Sequence, residues 1–141
     1  MPTLNESFPV SDPDHAWSMI SDLNKLVPCV PGGTVISSDG PDSVQAEIEV
    51  KMGSMGMKFS GPVEIKEKDE ASKTAKIRAD TKEAGGQSNA SGDVTISVPD
   101  SNCTINVVAD VSGKAGSMGE GTVAAVLTQL VKQFAGNLSK A

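Results

Sequence analysis

Ala46-Glu47-Ile48-Glu49-Val50-Lys51-Met52 alternates apolar and charged residues, and after Gly53-Ser54-Met55-Gly56 the alternation resumes in Met57-Lys58-Phe59-Ser60-Gly61. Side chains two residues apart share one face of an extended chain, so this stretch predicts two strands, each with a wet and a dry face, joined by a glycine-rich turn. Working outward, apolar or small residues recur at 61, 63 and 65, at 75, 77 and 79, at 90, 92, 94, 96 and 98, and at 103, 105, 107, 109 and 111. The segments between them carry turn chemistry: Asp39-Gly40-Pro41-Asp42, Lys68 to Lys73, Gly85-Gly86 and Pro99-Asp100-Ser101-Asn102. From Thr34 to Val111 the chain reads as an antiparallel meander.

The flanks complete the order of elements. Leu4, Glu6 and Phe8 mark a short first strand, which brings the expected sheet to about seven strands. Ser11-Asp12-Pro13-Asp14 supplies an N-cap, a proline at the first helical position and an acid in the first turn. The helix it opens has an apolar face of Ala16, Trp17, Ile20 and Leu23, breaks near Asp22 and Asn24, and is followed by a second short turn that Pro28 and Pro31 end. Beyond Gly113, Gly116, Gly119 and Gly121 the period becomes helical: Val123, Leu127, Leu130, Val131, Phe134 and Leu138 form one stripe, and Thr128, Gln129, Lys132, Gln133 and Asn137 face away. The expected fold is α+β, a curved antiparallel sheet with a long C-terminal helix lying on its dry face and two short helices after the first strand.

A chain of 141 residues, 38% hydrophobic and 21% charged, suits one domain spanning 1–141. Its net charge of −6 argues against nucleic acid as a partner. Cys29 and Cys103 have no metal or redox spacing and read as buried thiols in a reducing compartment. The N-terminus lacks the pattern of a signal peptide, and no apolar run approaches the roughly 18 residues of a membrane span, so the expected location is cytoplasmic.

Function is expected between sheet and helix. Inward positions are repeatedly small, at Gly61, Ala75, Ala79, Ala90, Gly92 and Ala109, and aromatic residues number only four: Phe8, Trp17, Phe59 and Phe134. Small residues facing one helix leave either an apolar cavity of about 300–1,000 Å³ or a solid core that the helix approaches closely. The cavity reading takes its lining from Met52, Met57, Phe59, Ile77, Ala90 and Val107 on the strands and from Val123, Leu127, Leu130 and Val131 on the helix, with Met55 at the mouth. Catalytic and metal-ligating groups are expected to be absent. His15 sits in the first turn of a surface helix, Cys29 lies between Pro28 and Val30, and Glu47, Glu49, Glu64, Asp93 and Arg78 alternate out of the dry face. The run Gly113 to Gly121 lacks the ending of a phosphate-cradling loop and suits a hinge before the helix.

Phe8-Pro9-Val10, Ala16-Trp17, Asp22, Leu26-Val27-Pro28-Cys29-Val30-Pro31-Gly32, the strands Ala46–Gly53 and Phe59–Gly61, and Asp110-Val111-Ser112-Gly113-Lys114-Ala115-Gly116 resemble the CoxG family of carbon monoxide dehydrogenase subunits over nearly the whole chain. That family belongs to the START-like, helix-grip (SRPBCC) superfamily, whose members hold hydrophobic ligands between a curved sheet and a C-terminal helix. The resemblance implies a non-catalytic accessory of a molybdenum carbon monoxide dehydrogenase, with that enzyme as partner. A bound quinone, menaquinone or ubiquinone, or an isoprenoid lipid is the hydrophobic small molecule to propose, and peripheral contact at the inner face of the cell membrane goes with it. Many relatives carry a C-terminal tail after the long helix, and the sequence given ends at Ala141. Three classes stay open: an apolar carrier, a docking or assembly protein with a filled core, and, last, an enzyme.

Overall fold

The computed structural model describes the backbone of residues 3–52, 55–86, 88–113 and 120–140, and side chains over 3–50, 56–86, 88–113 and 121–139. Strand β1 (Thr3–Pro9) leads into helices α1 (Pro13–Ile20) and α2 (Leu23–Leu26) and a 3-10 turn (Val27–Cys29). The meander follows as β2 (Gly33–Ser38), β3 (Ser43–Met52), β4 (Met55–Asp69), β5 (Thr74–Glu83), β6 (Ser88–Ser97) and β7 (Asn102–Gly113), and α3 (Glu120–Lys140) closes the chain. All seven strands form one antiparallel sheet in the order β1-β7-β6-β5-β4-β3-β2. The α+β architecture, the strand count and the helix positions are those expected from the sequence.

The period-two reading sets which face is dry. Val44, Ala46 and Val50 on β3 are buried while Gln45 and Glu49 between them are exposed, and Ala75, Ile77, Ile96, Ile105 and Val107 continue the dry face across the sheet. Outward-facing Arg78 on β5 forms charge pairs at 2.9 Å with Asp80 and with Asp93 on β6. The edge strand β2 contains a bulge between Val35 and Ser37 that throws Ile36 into water at 58% exposure.

One end of the dry face is capped by the small helices. Asp12 caps α1 by accepting from the His15 N–H, with Pro13 next to it, and Asp22 accepts from the Asn24 N–H to start α2. Pro28 lies inside the 3-10 turn instead of ending the segment, because a proline fits the first positions of a helical turn, where no N–H is needed. Ties to the sheet's turns hold this cap down. The Leu23 N–H donates to the Pro41 carbonyl, Lys68 Nζ donates to the Ser21 carbonyl at 2.9 Å, and Lys73 pairs with Asp14 at 2.6 Å. Beneath it lies the main core, with Ile20, Leu23, Leu26, Val98 and Cys103 all buried.

Two glycines permit close backbone approaches. Gly32 has φ +74°, and a Cβ there would stand 2.6 Å from the Glu49 carbonyl oxygen, so Pro31-Gly32 can deliver the chain into β2 tight against β3. At Gly61 on β4, a Cβ would stand 2.1 Å from the Asp80 carbonyl oxygen of β5. Gly61→Ala is therefore expected to destabilise the fold by about 1–3 kcal/mol through forced separation of these strands. Gly92→Ala, whose Cβ would stand no nearer than 3.4 Å to its closest neighbour, the Val108 carbonyl, is the near-neutral comparison in urea unfolding.

Candidate ligand-binding site

Helix α3 is fastened at its C-terminal half. Val131, Phe134 and Leu138 are buried in the main core with the small helices, and Asn137 Nδ2 donates to the Cys29 carbonyl at 2.8 Å. That bond corrects the expectation that Asn137 simply faces away. The helix backbone comes nearest to β1, β3, α1 and the 3-10 turn, so it bears on the flanks of the sheet and bridges the strands between.

The N-terminal half of α3 lies over a second, smaller apolar cluster. Val50, Met57 and Phe59 are buried there, and Ile48, Ala90, Val111, Val126 and Leu130 pack around them only half-buried. This is the end of the sheet away from α1 and α2, where β3 turns into β4, β5 turns into β6 and β7 runs out. Apolar side chains that face inward from both layers and still reach solvent leave this end of the interface between sheet and helix less completely packed than the other.

The expected lining divides accordingly. Met57, Phe59, Ala90 and Leu130 meet in the second cluster, whereas Ile77, Val107 and Val131 are buried in the main core with Leu127 packed against it. Val123 is buried on α3. Met52 and Met55 face each other across the β3–β4 hairpin, and their side chains lie outside the described residues, as does the expected hinge at 114–119. Sequence reasoning passed over Val126, which falls off the assumed helical stripe. Elsewhere, a hollow of about 500 Å³ is open and polar, lined by Glu67, Lys68, Asp69, Ser72, Thr74 and Lys76 on the far end of the sheet.

The dry face is not free of acids, and this is the main correction. The alternation of 75, 77 and 79 continues to Thr81 and Glu83, which puts Glu83 opposite Phe59 on the inner face. Glu83 Oε1 is buried and has no hydrogen-bond partner. Thr81 is buried and its hydroxyl donates to the Ala90 carbonyl at 2.7 Å, and Ser88, beside the same β5–β6 turn, is also buried. Glu6, half-buried on edge strand β1 opposite Ile105, shares the inner face at a distance from this end. Among the described residues no group of three or more His, Cys, Asp or Glu side chains is arranged to hold a metal, and no helix is long and apolar enough to cross a membrane.

The family model for CoxG, a subunit of carbon monoxide dehydrogenase, matches residues 7–141. No curated protein matches the sequence. Among solved structures the chain is similar to a conserved protein from Geobacillus kaustophilus (18% identity, 98% of this chain and 91% of that one, TM-score 0.76). It is also similar to the Zhui aromatase/cyclase of a Streptomyces species (13%, 99% and 92%, TM-score 0.61) and to norcoclaurine synthase from Thalictrum flavum (14%, 99% and 84%, TM-score 0.59). At these identities the structural likeness establishes the fold, a helix-grip arrangement, and nothing of the chemistry.

The stretch Pro28 to Gly32 holds one of two buried free thiols. Burial raises the pKa of the Cys29 thiol and pushes that of Cys103 up to about 12 from 9.0. Both stay protonated in the folded chain where an unfolded thiol would ionise, so above pH 9 the unfolded state binds fewer protons and stability falls as pH rises toward 12. Cys103→Ala should flatten this alkaline loss in pH-dependent urea unfolding. Iodoacetamide at pH 8 should label neither thiol until the protein is unfolded, as read by intact mass.

Proposed function

We propose, from the premise that this chain belongs to the CoxG family of carbon monoxide dehydrogenase subunits, that it is a non-catalytic accessory of a molybdenum carbon monoxide dehydrogenase. In this reading it carries a hydrophobic ligand in the groove under the N-terminal half of α3. The ligand class is a quinone, menaquinone or ubiquinone, and the carrier links the enzyme to the membrane quinone pool through peripheral contact with the membrane. The observation that supports this most is the second cluster, where Ile48, Ala90, Val111, Val126 and Leu130 face inward yet remain half-buried. An apolar surface left partly wet between two layers gains stability when something dry covers it, at roughly 25 cal/mol per Å². A prenyl tail provides such a surface, at about 0.8 kcal/mol for each CH₂ buried, so several kcal/mol are available without a charged anchor.

Organic extraction of the protein purified from a quinone-containing host, followed by mass spectrometry, tests the reading. Wild-type protein is expected to release a quinone or prenyl lipid. Leu130→Trp, which fills the groove from the helix side, is expected to release none while keeping native circular dichroism. An empty wild-type extract from a folded protein would favour a docking or assembly protein that carries no cargo.

A further inference from the structure

The groove's polar end specifies more than a hydrophobic body. Glu83 is the last residue of β5, faces inward beside Phe59, and bends toward the β5–β6 turn, where Oε2 comes within 3.0 Å of the position a Gly85 Cβ would take. Its Oε1 is buried without a partner, and among the described residues no other buried side-chain nitrogen or oxygen is in that condition. The neighbouring hydroxyl cannot relieve it, because Thr81 already donates to Ala90 at 2.7 Å. Native structures rarely leave a buried carboxylate oxygen unpaired, and where they do, a bound water or ligand commonly supplies the missing donor.

We infer that Glu83 is the headgroup anchor of the groove and that it selects ligands presenting an O–H donor, so that of a quinone pair the hydroquinone is held more tightly. This rests on the carrier reading above and adds the redox form of the cargo to it. The chemistry is asymmetric. A quinone ring offers two carbonyl acceptors, which would face the acceptor Oε1 unfavourably. The hydroquinone, formed from it by two electrons and two protons, offers two O–H donors, one of which bonds to Oε1 while the ring lies against Phe59, the residue in register with Glu83. A hydrogen bond to a charged acceptor is stronger than a neutral one, and a preference of about tenfold is the expected scale. Tighter binding of the reduced form raises the potential of the bound couple by about 30 mV for each tenfold in a two-electron reaction. A quinone seated in the groove is thus a better electron acceptor than the same molecule free.

The test uses the full chain under anaerobic conditions and one probe pair, a menaquinone with a two-unit prenyl side chain and its chemically reduced hydroquinone, titrated by calorimetry. The expected result is a hydroquinone affinity about tenfold above that of the quinone, lost in Glu83→Leu. If Glu83→Leu does not fold, Glu83→Gln, which can turn its amide N–H₂ toward a carbonyl, is expected to narrow or invert the preference. Equal affinities in the wild type, a preference for the quinone, or a preference that survives loss of the carboxylate would overturn the assignment and leave the carrier reading standing. Binding of neither form would overturn the carrier reading, and the anchor with it.

Discussion

A single long helix has to cover the dry face of seven strands, and the rest of the structure follows from that mismatch. The helix body is about 10 Å across, and seven strands at the usual spacing make a sheet roughly 29 Å wide, so no placement of α3 seals the face. The chain resolves this unevenly. It spends α1, α2 and the 3-10 turn on one end, and packs Val131, Phe134 and Leu138 of α3 against them. The N-terminal half of the helix is left to roof the other end with little help. The molecule thus has a closed end that stabilises it and an open end that is less completely packed.

The two ends differ in chemistry as well as packing. At the closed end the buried groups are apolar side chains and thiols, and the lysines that fasten the cap sit on its outside. At the open end three polar residues, Thr81, Glu83 and Ser88, enter the inner face within reach of one hairpin turn. Leaving a buried carboxylate oxygen unpaired is costly, and a fold optimised for stability alone would place an aliphatic residue at Glu83. Conflicts of this kind are expected where a protein meets another molecule, and here the conflict coincides with the half-buried apolar cluster.

Most of the fold was legible because the alternation from 44 to 111 is unusually regular and because the turns carry glycine, proline and aspartate where they should. The capping Asp12 and Asp22 made the small helices readable as well. The candidate site was legible only in part. Periodicity tells which face a residue joins, so Met57, Phe59, Ala90 and Leu130 were placed together, but it carries no information about how far the helix stands from the sheet. The structure buries Ile77 and Val107 in the main core and leaves Ala90 half-buried. Val126 was missed because a helix stripe is broader than the six positions counted. Glu83 escapes for a different reason: the apolar members of the alternation on β5 end at Ala79, although the strand, and therefore its period, runs on to Glu83. The Asn137 bond to the Cys29 carbonyl joins positions 108 residues apart, and no local pattern announces it.

The sheet does not close, and its outer strand β2 offers one unpaired backbone edge to water. Such an edge can recruit an identical strand from another copy and begin a fibril-like stack. The bulge at Ile36 works against this. An extra residue between Val35 and Ser37 breaks the even spacing of donors and acceptors, so a straight incoming strand cannot satisfy both sides of the interruption at once. The exposed isoleucine, which on its own would look like an adhesive spot, therefore sits at the place where strand-on-strand addition loses its register, and the chain can keep an open sheet without becoming a template for its own aggregation.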